Sequence, residues 1–584
     1  MKELAYLNKY LLKYKWKLIT GFIITIIARI FSLFVPPLIG NSLTAIEQFL
    51  RGSKPDPIVL KELLLINILI IIGSAFISGF FTFLMRQTII NVSRYIEYNL
   101  KNEVFWHYQR LTQRFYKNNR TGDLMNRISE DVSKVRMYVG PAIMYSINTT
   151  TLFILVISYM VSIAPLLTLY TIIPLPVLSI IIYRLSKVIN LRSTAVQEVL
   201  SKLSSFTQES FSGISVIKSY NLQKQMTGSF KILSQESYEK NIDLVKVQAW
   251  FFPLMILLIG FSNLIVIFIG GKQYIDGIIE IGVLAQFIIY VNMLTWPVAT
   301  VGWVTSVVQQ AEASQKRINA FLDEQPNIED GKGISTTIKG NIRFDKVSLY
   351  YPETKTTALK EVSFSIKSGE TLGIVGKIGS GKSTILDLIS RLYNTNSGTI
   401  SIDGNSIENF HLDQLRTLIG YVPQNAFLFS DTIENNIRFG NEEATEEAIV
   451  QAAESAAIAA NINEFSKAFK TLLGERGVTL SGGQIQRISI ARALIKDPKI
   501  LLLDDCLSAV DTDTEEEILR NLKHFCKDKT TIIVSHRISS IKDADQILVL
   551  ENGKIIQQGN HKSLIKNRGY YKDLHVKQQS EKVN

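Results

Sequence analysis

The chain has only two cysteines in 584 residues, Cys506 and Cys526. That excludes a disulfide framework, and their placement in the more polar half fits a reducing compartment. Each is read as a small buried hydrophobe, not as a metal ligand. The sequence also lacks internal repeats and low-complexity tracts. Nothing near the start reads as a cleavable signal. Lys2, Lys9, Lys13, Lys15 and Lys17 precede an apolar run too long for a signal core and without a small-residue cleavage site, so an uncleaved first membrane helix is expected. The net charge is +11, yet no aromatic-basic stripe marks a soluble face. The basic residues bracket apolar runs instead, which argues against nucleic acid and for a positive-inside membrane protein near anionic lipid.

What is present is hydrophobic mass of two kinds. At this length two or three domains are expected, and the 46% hydrophobic content is an average over unlike halves. Six apolar stretches of membrane-spanning length lie near 18–45, 63–85, 138–161, 163–185, 248–271 and 281–305. Pro36-Pro37 bends the first, and a tight turn around Pro165 separates the third from the fourth. Arg29 stands inside the first span, where a charge is costly. Either it lines an internal cavity or it snorkels to a boundary.

Loop charge orients the spans. Segment 86–137 carries ten basic residues, Arg86 through Arg136, and segment 186–247 carries eight, Lys187 through Lys246. Both loops and both termini are therefore expected to face the cytoplasm. Structureless loops of that length are uncommon. Each is read as two helices continuing out of the membrane, joined by a crosswise segment at 115–126 or 211–219. Asn91-Val92-Ser93 and Asn148-Thr149-Thr150 match glycosylation acceptors, but the first falls in a cytoplasmic loop and the second inside a span, so neither is expected to be modified.

The expected fold is thus multi-domain. An all-α transmembrane domain of six helices with long cytoplasmic extensions occupies 1–315. A linker follows at 316–340, with Pro326, Gly331, Gly333 and Gly340. An α/β P-loop NTPase domain is placed at 341–575, where short apolar strands alternate with helical stretches. The tail 576–584 is expected to fray.

Within the α/β part, Gly376-Lys377-Ile378-Gly379-Ser380-Gly381-Lys382-Ser383-Thr384 reads G-x-x-x-x-G-K-S-T between a strand and a helix. Glycines let backbone N–H groups converge on phosphates, Lys382 supplies a point charge, and the Ser383 hydroxyl can reach Mg²⁺. The apolar run Ile500–Leu503 ends in Asp504, an acid positioned to hold Mg²⁺ through water.

Together with Gln424 in Tyr-Val-Pro-Gln, the Leu480-Ser481-Gly482-Gly483-Gln484 stretch, Asp511 in Ser-Ala-Val-Asp, His536 in Val-Ser-His-Arg and Gly474-Glu475-Arg476-Gly477, these residues resemble the nucleotide-binding domain of ABC transporters. With six spans ahead of it, the whole chain is similar to a half-transporter of the multidrug and lipid exporter type. The resemblance implies ATP hydrolysis coupled to transport, with ATP and Mg²⁺ as ligands. Tyr351 would stack on adenine. Gly376, Gly379, Ser380, Gly381, Lys382, Ser383 and Thr384 would hold phosphate, and Ser383, Gln424 and Asp504 would hold Mg²⁺. Ser481, Gly482, Gly483 and Gln484 would close over ATP bound by the opposite subunit, and Asp511 would link the two sites. His536 would orient the attacking water. The crosswise segments would transmit motion, the second by docking on the partner's ATPase domain.

One position departs from the pattern. Asp505 stands where such ATPases carry Glu, so the carboxylate that polarises the attacking water is one methylene short. A misplacement of order 1 Å costs about 10²-fold in rate. Two arrangements follow: a heterodimer in which this chain owns the weak site, and a homodimer working slowly with Asp. The resemblance further implies export across the cytoplasmic membrane by alternating access, of amphipathic drugs, lipids or lipid-linked glycans. An ATP-gated channel or a non-transporting regulator is a different class of function that ATP-dependent movement would separate. Substrate and partner identity are not encoded legibly.

Overall fold

The computed structural model describes residues 2–52, 57–334, 338–474 and 480–583. It divides into two units. One comprises Met1–Gln109 with Thr121–Glu324, and the other Arg110–Arg120 with Gln325–Asn584.

The first unit is helical. Among the described residues, five stretches are long and apolar enough to cross a membrane: Lys15–Leu50, Pro57–Arg110, Thr121–Ile163, Gln223–Ile275 and Ile281–Leu322. The other expected span, 163–185, is helical in two pieces, Pro165–Ile172 and Pro174–Ser212. Each begins on proline, whose missing N–H costs nothing in a first turn. Pro36 and Pro37 likewise sit in the first turn of Val35–Leu50, after a break at Phe34.

The two long loops are continuations of helices. Pro57–Arg110 runs unbroken for 54 residues, and Pro174–Ser212 pairs with Gln223–Gln248. Their crosswise segments are short helices, Gln113–Asn118 with Thr121–Asn126, and Ile214–Ser219. Side chains such as Phe76 and Phe268 face outward, while Met160, Leu167, Phe287 and Tyr290 are enclosed. Apolar surface of this extent pointing away from the bundle suits lipid or a partner's apolar surface.

Two assignments need correction. The Ile281–Leu322 helix carries through residues 316–322, which sequence gives to the linker. Its register stays apolar inward, with Ile318 and Phe321 buried, so packing outweighs the composition shift. The C-terminal tail is also not frayed: Tyr570–Val583 is one helix.

The second unit holds two sheets. Strands β1 (Ile342–Tyr351), β2 (Thr356–Ile366), β4 (Ser397–Ile402) and β5 (Asn405–Ser406) form an antiparallel sheet in the order β2-β1-β4-β5. Strands β3 (Thr371–Gly376), β6 (Ile419–Val422), β7 (Ile500–Asp504), β8 (Thr530–Val534), β9 (Gln546–Glu551) and β10 (Lys554–Gly559) form the other, ordered β10-β9-β3-β8-β7-β6. All its pairings are parallel except β10 with β9.

β7 and β8 are buried at every position, as strands covered on both faces must be. Alternate residues serve different cores. Ile500 and Leu502 pack with Leu372 and Ile374 beneath the antiparallel sheet, while Leu501 and Leu503 pack with Val375 and the helices of 433–462. Cys506 and Cys526 are both buried and free.

Candidate nucleotide site

The site gathers at one edge of the parallel sheet. β3, β8 and β7 are neighbours in register, so the phosphate loop after β3, His536 after β8 and Asp504-Asp505 at the end of β7 emerge side by side. Ligands of open α/β sheets bind outside this carboxyl edge. Gln424 follows β6 at the same edge and is exposed.

Phosphate-loop geometry follows from its glycines. Gly381 caps the Lys382–Ile389 helix at φ 97°, and a Cβ there would stand 2.4 Å from the Ala358 carbonyl. Lys382 is buried, and its Nζ donates to the carbonyls of Gly376 and Lys377, both at 3.0 Å. Burial lowers its pKa, against the pull of Asp505 and Asp504. The Ser380 hydroxyl is buried and has no hydrogen-bond partner among the described residues. An ammonium held only by carbonyls beside an orphaned hydroxyl and a helix N-terminus fits a phosphate.

Ser383 Oγ donates to Asp504 Oδ1 at 3.0 Å. Burial raises the Asp504 pKa, the Ser383 hydrogen bond opposes it, and the neighbouring Asp505 adds to it. This hydroxyl–carboxylate pair is of the oxygen-donor type that fits a hard cation.

Asp505 is buried at φ 44°, a left-handed conformation that Asp tolerates better than most residues. Its N–H donates to the Val534 carbonyl at 2.9 Å, and its Oδ1 lies 3.4 Å from the His536 N–H donor nitrogen. The structure therefore brings Asp505 and His536 together. The His536 pKa is lowered, first by burial and then by Lys382, with Asp505 opposing. The shift favours the neutral ring, which can accept or pass one proton.

Ser481 caps the Gly482–Leu494 helix in a reciprocal box with Gln484, with hydrogen bonds of 3.3 and 2.9 Å. Gly483 admits the backbone of the next loop, since a Cβ would sit 2.8 Å from the Ala509 carbonyl. Asp511 is committed as the cap of Thr512–Phe525, accepting from Thr514 N at 3.0 Å. Among the described residues, the Ser481 loop makes no hydrogen bond to Lys382, Ser383 or Asp504 of its own chain. Glu475, Arg476 and Gly477 lie outside the described residues.

Tyr351 ends β1 and donates to Thr384 Oγ1 at 3.3 Å. Its ring meets Tyr393 edge-on at 5.1 Å. Burial pushes its pKa up to about 12. The Gln113–Asn118 helix belongs to this unit: Arg114 pairs with Glu353, and Lys117 Nζ lies 5.7 Å from the Tyr351 ring centre and 5.1 Å from that of Tyr393. The first crosswise segment thus touches the aromatic residue expected to stack on adenine.

Two contacts escaped sequence reasoning. Arg537 bonds Glu515 and donates to the carbonyls of Ser508 and Val510, tying the His536 loop to the loop before Asp511. Gln578, on the final helix, accepts from Ile538 N at 2.9 Å and donates to the His536 carbonyl at 2.7 Å. A lone Gln in a polar tail gives no signal of such a clamp.

Membrane-spanning helices and a phosphate-loop ATPase in one polypeptide define an ATP-driven membrane transporter. Residues 18–298 match the family described as ABC transporter transmembrane region, and 359–508 that described as ABC transporter. The multidrug resistance-like ATP-binding protein MdlA of Buchnera aphidicola (subsp. Schizaphis graminum) is 35% identical over the full length of both chains. The probable multidrug resistance ABC transporter ATP-binding/permease protein YheI of Bacillus subtilis is 35% identical over 99% of this chain and 97% of its own. The ATP-dependent lipid A-core flippase of Aliivibrio fischeri is 32% identical over 87% of each. A bacterial Atm1-family ABC exporter solved with ATP bound superposes with a TM-score of 0.82 at 24% identity, covering 96% of this chain and 99% of that one. The chain belongs to the ABC transporter family and has its exporter fold. It is a multi-pass membrane protein that couples ATP hydrolysis to export.

Proposed function

We propose that the chain is one half of a dimeric exporter of amphipathic or hydrophobic compounds, drugs or lipids, in the cytoplasmic membrane, with its ATPase domain in the cytoplasm. The observation that carries this reading is the convergence of Lys382, Ser383–Asp504, Asp505 and His536 at one sheet edge, while among the described residues the Ser481 loop makes no hydrogen bond to Lys382, Ser383 or Asp504. Relatives named for multidrug resistance and for lipid flipping support the substrate class.

Lys382 neutralises the β- and γ-phosphates, and the loop's backbone N–H groups and Ser380 hydroxyl hold them. Ser383, Asp504 and Gln424 would hold Mg²⁺, which offsets charge on the phosphate oxygens. Asp505 polarises the attacking water, and neutral His536 orients it. Tyr351 stacks on adenine, with Gly376, Gly379, Gly381 and Thr384 shaping the cradle. Ser481, Gly482, Gly483 and Gln484 close over the partner's ATP, and Asp511 links the two sites. The exposed apolar side chains Phe211, Ile214, Val216 and Tyr220 around the second crosswise segment suit docking on the partner.

Transport of labelled lipid or dye into inverted vesicles, with and without ATP, tests the function. Uptake that requires ATP and stops in Lys382→Ala is expected. Movement that needs no ATP and follows only the gradient would exclude a pump. Heterodimer and homodimer are separated by ATPase assay of the chain purified alone. Low turnover that rises with a Glu-bearing partner supports the heterodimer that Asp505 favours, and robust turnover without one supports the homodimer.

A further inference from the structure

Arg29 lies twelve residues beyond Lys17 and twenty-two before Arg51. At 1.5 Å per residue it stands about 18 Å past the last cytoplasmic lysine, near the middle of a hydrocarbon core roughly 30 Å thick. The side chain reaches neither interface from there. Its Nε donates to Asn148 Oδ1 on the Ile143–Ile163 helix. A neutral amide fixes the guanidinium in place and leaves its charge whole.

No carboxylate is placed to balance it. The arginine ion pairs of this unit are made by Arg51, Arg94, Arg136, Arg192 and Arg317, and among the described residues none reaches Arg29. Glu47, at the far end of the first span, is held by Arg51 and Tyr274. A half-buried cation at membrane depth without a counter-charge is costly, and such residues mark ligand paths.

The surroundings suit an amphiphile. Tyr145 neighbours both Asn148 and Thr149 on the helix surface, three and four residues on. Thr149 Oγ1 lies 3.1 Å from Thr300 Oγ1, and Tyr145 meets Trp303 edge-on at 5.5 Å. Hydroxyls on the helix that carries Asn148 can bond anionic oxygens, and the aromatic pair offers surface to a hydrocarbon chain.

We propose that Arg29, held by Asn148, binds the anionic head of an amphipathic ligand (a phosphate, carboxylate or sulfonate) and gives the exporter a preference for amphipathic anions. The inference deepens the export reading and rests on it for the word substrate. A resident anionic phospholipid would present the same chemistry.

The full chain in phosphatidylcholine nanodiscs is titrated, without ATP, with fluorescent dodecyl phosphate and its dodecyltrimethylammonium counterpart, read by anisotropy. The wild type is expected to prefer the phosphate by roughly tenfold or more, as for a charge-assisted hydrogen bond. Arg29→Gln should abolish the preference, and Arg29→Lys should keep part of it. Equal affinities in the wild type, or an undiminished preference in Arg29→Gln, overturn the proposal. If Arg29→Gln does not fold, the wild-type comparison still decides, and Asn148→Ala should weaken the preference. Nucleotide binding is measured in parallel with a fluorescent ATP analogue, so a failed ATPase site and a failed anion site give different results. Two arms separate the sources. ATP-dependent uptake of the phosphate probe into proteoliposomes assigns the anion as cargo. Loss of probe binding when phosphatidylglycerol is added to the discs, with no uptake, assigns the site to a lipid headgroup and overturns the cargo half of the proposal.

Discussion

At the scale of single residues, one methylene decides the most. Asp505 keeps its charge, its hydrogen bond to Val534 and its closeness to His536, so the site is intact except in reach. Restoring that reach with Asp505→Glu is expected to speed hydrolysis at this site by one to two orders of magnitude, since a misplacement of order 1 Å costs about 10²-fold. Single-turnover hydrolysis of labelled ATP measures it, and an unchanged rate would show that the shorter carboxylate is already in position. The gain is partly offset because Glu accepts the φ 44° backbone less readily than Asp. The sequence showed the substitution but not the backbone that accommodates it.

Asp387 gives a second prediction. It lies one turn after Ser383, and burial pushes its pKa up to about 6, against the pull of Lys117. The ordinary unfolded value is about 3.9. The folded state therefore binds more protons between those values, and stability falls as pH rises through about 6. Asp387→Asn is expected to raise the melting temperature of the ATPase transition at pH 7.5 and to raise it only about a third as much at pH 4.5. Scanning calorimetry at the two values checks the sign. Apolar periodicity cannot reveal this residue, because its burial depends on what the Gln113–Asn118 helix and Tyr421 bring to it.

At the scale of elements, regular pattern was legible and tertiary capture was not. The long apolar runs announced the spans, and Gly-x-x-x-x-Gly-Lys-Ser between β3 and its helix announced the phosphate site, because both are local signals. The linker and the tail misread for one reason. Polar composition looks like disorder until a neighbouring surface supplies partners. Arg391 grips the Glu329 carbonyl at 2.8 Å, and Asp330 accepts from Leu412 N at 2.7 Å, so the stretch after Leu322 is laid down on the ATPase unit. The final helix is held in the same way through Gln578. If that clamp positions His536, Gln578→Ala should lower the ATPase kcat roughly three- to tenfold, the value of losing up to two neutral hydrogen bonds, with ATP affinity unchanged. Gln578→Glu keeps only the contact to Ile538 and should fall between. Equal loss in ATP affinity and kcat would reduce the helix to a general stabiliser.

At the scale of the whole molecule, the proposed dimer makes the Ser481 loop and the Lys382 pocket parts of one reaction held on different chains. Each is well formed by itself: Ser481 by its capping box, Lys382 by its carbonyls. Two chains placed head to tail would complete two sites at once, each with one chain's phosphate loop and the other's Ser481 loop. That arrangement makes a prediction that a self-contained ATPase cannot imitate. Lys382→Ala and Ser481→Arg should each abolish hydrolysis when both subunits carry the same change. Co-expressed with different tags and purified through both, the mixed pair has one site with two defects and one with none. Its ATPase rate should recover to at most about half of the wild-type value, less if the two sites must fire together. If each chain closed its own pocket, every site in the mixed pair would keep a defect and the rate would stay at background. Where an unlike partner supplies the second half, the same logic applies to one site only: Ser481→Arg would silence the partner's hydrolysis while leaving ATP bound at Lys382. The measured rate of the tandem-purified pair thus reports how the halves share their chemistry.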